Sequence, residues 1–523
     1  MTVIAPHSSG PRAGRDGFGR LLHAEWTKFR TVRGWVTGMT VAALITVLLG
    51  LLTASGSHTS CSKGPVEVAC PTPPLGPEGQ AVNDKFYFVH QPMEGEGSIT
   101  VRVTSMTGQI RLPDLEPGVR RVASGVVPWA KAGVIIKEST RQGSAYAAVM
   151  VTGEHGVRMQ HNFTHDTAGR PGGVSARSPR WLRLARSGDT LTGYESADGR
   201  QWTKVGTVHL AGLPSTVRIG LFTTSPGAVT VTRGDFGGTI AAGRFAEATA
   251  VFDQVSMESR ASGGTWSHDD IGAVAEPDGS FHHPGRFERS GGTFTVTGVG
   301  DIGPSREGRS IENTLSGVLA GLVVVVVVAV LFVTAEYRRG LIRTSLLASP
   351  RRGRVLAAKA VVIAAVTFAA GLAAAVVSVA TGTRILRANG NYVLPVSPLT
   401  EVRVVIGIAA LLAVAAVFAL ALGTLFRRSA AAVTAAIAMI VLPHILATAS
   451  VLPVDVAQWL LRLTPAAGFA IQQSVPAYSH VLDNYVPQAG YYPLAPWAGL
   501  AVLCGYAALA LVLAGFQLRR RDA

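Results

Sequence analysis

Six long uncharged runs constrain the fold of this chain more than any other feature. They contain no Asp, Glu, Lys or Arg and cover residues 36–54, 314–335, 360–382, 404–426, 429–452 and 495–518. An apolar helix needs about 20 residues to cross the hydrocarbon core of a bilayer. Only 15% of the 523 residues are charged, and the mean hydropathy is +0.32. The runs therefore predict an α-helical transmembrane domain of six spans.

The first run could also be a secretory signal peptide. Its 19 uncharged residues exceed the apolar core of about 7–15 residues that is typical of such peptides. No convincing small-x-small cleavage site follows it. We therefore interpret 36–54 as a span.

The distribution of Lys and Arg predicts the orientation of the spans. With both termini in the cytoplasm, eighteen basic residues flank the spans on the cytoplasmic side and four lie in the short external loops. Cytoplasmic loops of membrane proteins carry the excess of basic residues. We therefore expect a multi-pass protein of the cell membrane with cytoplasmic termini, an extracellular region between the first two spans and an external loop at 453–494.

The region between the first two spans has a different sequence pattern. Short β-rich runs, broken by Gly, Pro, Asp and Asn, cover 98–103, 132–136, 146–151, 181–185, 190–196, 217–222 and 292–297. The sequence Ser196-Ala197-Asp198-Gly199 between two runs is a good hairpin turn. Many short strands without helical periodicity predict an all-β sandwich over 78–303.

Two cysteines lie in the Pro-rich linker 56–77, which precedes this sandwich. Cys61 and Cys70 are close in sequence, and an extracellular location permits a disulfide between them. Cys504, inside the last span, is expected to act as a small apolar residue.

Two basic segments lie on the predicted cytoplasmic side. Residues 1–19 form a Gly/Ser/Pro/Arg-rich tail that we expect to be disordered, and 20–35 places Leu22, Trp26 and Phe29 on one helical stripe. We interpret 20–35 as an amphipathic helix on the membrane lipid surface. The loop 336–359 has seven Lys/Arg and one Glu, with Arg339 and Arg343 on one helical face. Charge alone leaves open whether this loop makes a specific contact or only follows the positive-inside rule.

Several classes of activity have no support in the sequence. There is no GxxxxGK[ST], HExxH, CxxC pair or GxSxG motif, so we expect no enzyme activity, cofactor or metal. The net charge of +15 comes without a nucleic-acid-binding motif, and we expect no nucleic-acid partner. Within the runs His444 could be functional, although a packing role is the simpler alternative. Because the chain has no phosphate-binding loop and the uncharged runs contain no acidic or basic residue for an ion pathway, any uphill transport must be driven by another subunit.

The membrane part resembles the permease subunit of type-2 ABC exporters. The resemblance rests on HAEWTKFRTVRGW (23–35), AEYRRGLIRTSLLASPRRGRVLAAK (335–359) and LLRLTPAAGFAIQQ (460–473). It implies an ATP-binding ABC subunit as partner, a second permease copy in a homo- or heterodimer, and a coupling element within 336–359. The candidate coupling residues are Glu336, Arg338, Arg339, Arg343, Arg351 and Arg352. The large insertion between spans 1 and 2 departs from the family plan, so the family does not identify the cargo.

The insertion resembles a concanavalin A-like lectin/glucanase sandwich of the jelly-roll type. The resemblance rests on 86–105, 129–139, 146–160 and 181–206, extended by 265–272 and 292–303. It implies binding of cell-wall glycan, for which Trp129, Trp181, Trp202 and Trp266 are candidate contacts. Tryptophans in small sandwiches also belong to the core. Glu138, Glu154 and Glu195 lie on separate segments, which speaks against the carboxylate pair of a glycosidase.

Two functions from different classes follow. The first is an exporter permease whose external lectin-like domain recognises cargo or gates its passage. The alternative is a membrane-anchored glycan-binding or sensor protein without transport activity. One span would suffice as an anchor, so six spans favour the permease.

Overall fold

The structure is a computed structural model with a helical domain and a β-sandwich. It describes residues 17–63, 65–68, 70–112, 121–233, 239–259, 265–275, 281–282, 284–338, 352–449, 451–481 and 485–520. The helical domain is built from both ends of the chain, and the sandwich is inserted after the second helix.

Eight α-helices form the helical domain in the described residues. They are α1 (Phe18–Thr31), α2 (Arg33–Ser55), α3 (Val318–Arg338), α4 (Arg352–Ala388), α5 (Pro398–Phe426), α6 (Ser429–Thr448), α7 (Val454–Leu463) and α8 (Pro496–Arg520). Short 3₁₀ helices cover Ile311–Leu315, Pro465–Gln472 and Pro487–Ala489. Within the part of the chain that the structure describes, six helices are long and apolar enough to cross a membrane: α2, α3 with its preceding 3₁₀ turn, α4, α5, α6 and α8. This confirms the six predicted apolar helices.

Several helices extend beyond the uncharged runs from which they were predicted. α4 begins at Arg352 and ends at Ala388, because a charged residue ends an uncharged run without ending a helix. α5 begins at Pro398, after Ser397 accepts a hydrogen bond from the Thr400 N–H, as an N-cap does. The predicted external loop 453–494 contains α7 and the buried 3₁₀ helix Pro465–Gln472, which packs against α5 and α8.

The sandwich contains most of the strands. In chain order they are β1 (Cys61–Lys63), β2 (Val66–Val68), β3 (Val82–Asp84), β4 (Phe86–Glu94), β5 (Gly97–Arg111), β6 (Val122–Ser124), β7 (Lys131–Lys137), β8 (Tyr146–Thr152), β9 (Val157–His161), β10 (His165–Ala168), β11 (Arg180–Ser187), β12 (Thr190–Ser196), β13 (Thr203–His209), β14 (Thr216–Thr224), β15 (Ala228–Arg233), β16 (Thr239–Arg244), β17 (Ala246–Ser259), β18 (Ser267–Ile271), β19 (Val274–Ala275), β20 (Phe281–His282), β21 (Arg286–Ser290), β22 (Thr293–Gly298) and β23 (Ile302–Pro304). Each of the seven predicted β-rich runs overlaps one of them. The predicted hairpin at 196–199 joins β12 to β13, which pair antiparallel.

Two antiparallel sheets face each other, as predicted for a sandwich. One has the order β10-β9-β8-β7-β14-β4-β18, and the other runs β13-β12-β11-β5-β17-β22-β21 with β6 paired to β5. Alternate side chains of both sheets fill the space between them, among them Val134, Val149, Leu182 and Phe252. This alternation is the period-2 pattern of a strand with one face in the core.

The seven-stranded sheet is also covered on its outer face. A second cluster of buried side chains there includes Phe88, Ile135, Tyr146 and Phe222. Its cover includes Val82 of β3 and Ile302 of β23, which lie close to the points where the chain enters and leaves the sandwich. β4, β7 and β8 are therefore buried on both faces.

Polar contacts join the sandwich to one end of the helical domain, which we call the sandwich end. Asn391, after α4, binds the linker through Ser57 and Thr59. Glu312 accepts a hydrogen bond from the Ser474 hydroxyl at 2.6 Å. His480 donates from Nε2 to the Phe163 carbonyl of the sandwich at 2.9 Å. The opposite end of the helical domain, where α1 begins, is called the distal end below.

Candidate functional site

Three helices meet at the distal end around a small aromatic cluster. Phe29 of α1, Trp35 of α2 and Phe332 of α3 pack together, with ring centroids 5.0–6.3 Å apart. Edge-to-face and offset packing of this kind adds stability beyond the buried area. These rings fix α1 against the ends of α2 and α3.

Four charged side chains form an ion cluster beside these rings. Lys359 of α4 donates to the carboxylates of Glu25 at 2.7 Å and Glu336 at 2.6 Å. Lys28 donates to the same two carboxylates at 2.8 Å and 3.2 Å. The cluster of Glu25, Lys28, Glu336 and Lys359 joins α1, α3 and α4, and its formal charge is zero.

The cluster is largely removed from water. Lys359 is 1% exposed, and its ammonium lies 4.9 Å from the centroid of the Phe332 ring. Glu25 and Glu336 are also buried. Burial lowers the pKa of Lys28, but hydrogen bonds and charge from Glu25 and Glu336 outweigh this, so its pKa is raised. Removing one member of such a cluster would leave a buried charge without its counter-ion.

The ion cluster lies at the base of the predicted coupling loop. Glu336 is in the last turn of α3, and Lys359 is near the start of α4. The cluster therefore joins the last turn of α3 to α4 about two turns after its start, and α1 is bound to both.

The predicted coupling residues fall into three groups. Glu336, a candidate coupling residue, has its carboxylate buried with the two lysines. Arg338 is exposed, and Arg352 donates to the Leu518 carbonyl of α8 at 2.9 Å. The remaining candidates, Arg339, Arg343 and Arg351, lie outside the described residues.

The predicted stripe on α1 is divided between two environments. Phe29 is buried and Leu22 packs at the edge of the helical core, whereas Trp26 is 43% exposed. Lys28 of the same helix is bound to Glu25 and Glu336. Sequence reasoning missed Glu25 as a functional candidate. Its spacing of three residues from Lys28, combined with Lys359 at the edge of an apolar run, was the available signal.

The four candidate tryptophans of the sandwich also differ in their surroundings. Trp129 is buried and stacks on His155 with a centroid distance of 4.0 Å. Trp266 packs against Phe294 at the edge of the main core. These two positions agree with the core alternative rather than with glycan contact.

Trp181 and Trp202 are partly exposed beside the outer face of the eight-stranded sheet. Arg102 lies 5.7 Å from the Trp181 ring centroid, and Arg183 lies 4.6 Å from that of Trp202. Asp253 pairs with Arg102 at 2.6 Å. Arg183 and the aromatic rings could therefore present stacking and hydrogen-bonding groups to a ligand.

The remaining predicted residues have identifiable partners or positions. Cys61 and Cys70 are joined by a disulfide, with β1 and β2 forming a small hairpin around it. Cys504 is exposed on α8. His444 stacks on Phe469 with centroids 4.0 Å apart, which gives it a packing contact within the helical domain.

Comparisons with known proteins give little further information. No family model matches the sequence, and no curated protein gives a match. A functionally unknown protein from Saccharomyces cerevisiae is 12% identical and covers 34% of this chain and 76% of its own, with a TM-score of 0.21. Scytalido-glutamic peptidase with a transition-state analogue inhibitor is 8% identical. The match covers 41% of this chain and 98% of the peptidase, with a TM-score of 0.27. The GH43 protein BlXynB from Bacillus licheniformis is 16% identical. The match covers 28% of this chain and 26% of BlXynB, with a TM-score of 0.16. At these TM-scores none of the three bears on the activity of this chain.

Proposed function

We propose that this chain is the permease subunit of an ATP-driven ABC exporter. The ion cluster at the distal end is the observation that carries the proposal. It connects α1 to both helices that flank the basic loop, and this is the arrangement needed to transmit movement from a bound ATPase. The six apolar helices and the absence of a phosphate-binding loop support the same function.

In this mechanism a separate ATPase binds the basic loop at the cytoplasmic face. Movement of the loop displaces the end of α3 and the start of α4 together, because Lys359 holds Glu336 at 2.6 Å. α1 follows through Glu25, which binds the same ammonium at 2.7 Å. A second permease copy would complete the path between the membrane helices, and the chain itself would hydrolyse no ATP.

The test is co-purification with a candidate ATPase, sought as a Walker-A protein encoded by a neighbouring reading frame. We expect Arg339→Glu/Arg343→Glu to abolish association and stimulated ATPase activity, because the loop would then carry the wrong charge. Arg519→Glu/Arg520→Glu reverses the same number of charges near the distal end of α8 and serves as the control. Association that survives the loop reversal, with the variant correctly folded, would contradict the proposal.

For the two-sheet sandwich we propose a jelly-roll architecture and recognition of cell-wall glycan outside the membrane. Trp202 and Arg183 support this role, since the ring and the guanidinium are stacked on the outer face of the eight-stranded sheet. Binding of the full chain in lipid nanodiscs to peptidoglycan fragments should be lost in Trp202→Ala. The exposed His209, at the end of β13, the strand that follows Trp202, gives the control, His209→Ala.

The alternative, a membrane-anchored glycan receptor without transport, uses the same sandwich surface. Binding and stimulation of an ATPase distinguish the two functions. A chain that binds glycan but neither binds nor stimulates an ATPase would be a receptor.

A further inference from the structure

The sandwich contains an ion pair that is completely buried. Nζ of Lys137, at the end of β7, lies 2.7 Å from Oδ2 of Asp84, at the end of β3. Both side chains are 0% exposed. β7 is a central strand of the seven-stranded sheet, and β3 lies next to the linker from the helical domain.

The surroundings of this pair are poorly suited to two charges. The Lys137 ammonium also donates to the Ser144 carbonyl at 3.0 Å, and the rings of Tyr146 and Phe163 lie 5.7 Å and 5.5 Å from it. Oδ2 of Asp84 accepts a second hydrogen bond, from the Gly143 N–H at 2.8 Å. Oδ1 is buried and has no hydrogen-bond partner among the described residues. A carboxylate with one unsatisfied oxygen in a dry interior is destabilised relative to a neutral group.

A second lysine on the same strand provides an internal comparison. Lys131, at the start of β7, binds Asp301 at 2.7 Å and also the Ile302 carbonyl at 2.5 Å. The Asp301 side chain is 13% exposed, and its Oδ1 accepts the Ile302 N–H as well. Both lysines therefore have a carbonyl acceptor besides their carboxylate. The two pairs differ in the aspartate: Asp301 is in contact with water, whereas Asp84 is fully buried with one oxygen unpartnered among the described residues.

We propose that Lys137 and Asp84 condense to an intramolecular isopeptide bond. A proton first passes from the ammonium to the carboxylate, giving an amine and a carboxylic acid. The amine nitrogen then attacks Cγ of Asp84, and the Gly143 N–H stabilises the oxyanion that forms on Oδ2. Oδ1 leaves as water, taking one proton from the amine and one from the acid. The product is an amide and one water molecule, with no oxidant, reductant or co-reactant.

The folded structure supplies the two conditions that this step needs. Burial lowers the pKa of Lys137, and the charge and hydrogen bond of Asp84 offset this only in part, a shift in the direction that favours the neutral, nucleophilic amine. The reacting groups are held at contact distance by the fold, which replaces a bimolecular encounter by an effective molarity of about 10⁵–10⁸ M in well-oriented cases. Exclusion of water from the site also disfavours hydrolysis of the amide.

The cross-link would close a covalent ring between β3 and β7. Asp84 lies just after the linker that contains the Cys61–Cys70 disulfide. The bond would therefore fasten the start of the sandwich to its central sheet and resist unfolding by force or by denaturant.

Peptide mass spectrometry of the purified full chain tests the proposal. After reduction, alkylation and trypsin digestion under denaturing conditions, we expect peptide 64–85 joined to peptide 132–141, with one water lost. Trypsin cannot cut at an acylated lysine, so 132–141 should retain the uncut Lys137. Cleavage after Lys131 is the internal control, because that lysine should stay free.

Two variants check the chemistry. Asp84→Asn should give the same linked peptide with loss of ammonia, whereas Lys137→Arg should give only linear peptides. Quantitative recovery of the free peptide 132–137 from the wild-type protein would overturn the proposal. This outcome does not depend on whether either variant folds, and it is separate from any result on transport or glycan binding.

Discussion

Lys359 lies between two carboxylates and beside the Phe332 ring, with almost no contact with water. We expect Lys359→Met to lower the free energy of unfolding by about 3–5 kcal/mol, because Glu25 and Glu336 would lose a buried counter-ion. Arg354→Met, on an exposed turn of the same helix, should change it by no more than about 0.5 kcal/mol. Denaturant unfolding in detergent measures both. Equal stability of the two variants would show that Lys359 is not needed as a counter-ion.

His161 of β9 should make the stability of the sandwich dependent on pH. Burial, together with the nearby His165, lowers its pKa to about 4, below the usual value of about 6.5. Between these values the unfolded chain binds a proton that the folded chain does not. The free energy of unfolding should therefore fall as the pH falls from about 6.5 towards 4.

The pH dependence can be assigned by substitution. His161→Gln should reduce the loss of stability between pH 7 and pH 4.5, measured as the denaturant midpoint in tryptophan fluorescence. His209→Gln, at an exposed position on β13, should lose as much stability between pH 7 and pH 4.5 as the wild type does. His90 and His480, whose pKa values are also lowered, first by burial, should preserve part of the dependence. A His161→Gln profile identical to that of the wild type would rule out His161 as a contributor.

Predictions for single residues were reliable where the contacts of a residue are made with residues close to it in sequence. The turn at Asp198 forms because its carboxylate accepts the N–H groups of Arg200 and Gln201, both close in sequence. The contact of Glu25 with Lys359 joins residues 334 positions apart. Nothing local in the sequence specifies such a pair, and this is why the burial of Glu336 with Lys359 was not predicted.

At the scale of the element, α1 is held by the ion cluster as well as by its apolar face. Glu25→Gln should weaken two charge-assisted hydrogen bonds, each of a kind that contributes about 1.5–3 kcal/mol. We expect amide hydrogen exchange in α1 to accelerate by roughly 10- to 100-fold, since about 1.4 kcal/mol corresponds to a factor of ten. Arg30→Gln, on the exposed side of the same helix, is the control and should leave the exchange unchanged. Unaltered exchange in Glu25→Gln would mean that the aromatic cluster alone fixes α1.

The long apolar helices and the main strands were predictable as elements. A run such as 404–426 has no charge and no break, and the alternating pattern of β11 and β5 places Leu182 opposite Val101 in the core. The 3₁₀ helix Pro465–Gln472 was not predicted, because its burial depends on α5 and α8 rather than on its own pattern. The second core on the seven-stranded sheet was missed for the same reason: Val82 and Ile302 come from short strands far apart in sequence.

At the scale of the whole molecule, His480 is a contact between the two domains. His480→Ala should remove the hydrogen bond to the Phe163 carbonyl and increase hydrogen exchange at 474–481, while exchange in β7 and β8 stays slow. His58→Ala, exposed at the same end of the helical domain, should affect neither region. If exchange at 474–481 is unchanged in His480→Ala, the two domains are held together by other contacts.

The segment that carries His480 continues from a helix that lies inside the helical domain. Ser474 and His480 contact Glu312 and the sandwich, and Pro465–Gln472 packs between α5 and α8. Suppose that a ligand binds more tightly to one position of the sandwich than to another. Its binding then shifts the packing equilibrium of these helices, and a change in that packing shifts the affinity for the ligand. Thermodynamic linkage requires the two effects to have the same free energy. Conditions that rearrange α5 and α8 should therefore be detectable as a change in the affinity of the sandwich for the glycan proposed above, without any contact between that glycan and the helices.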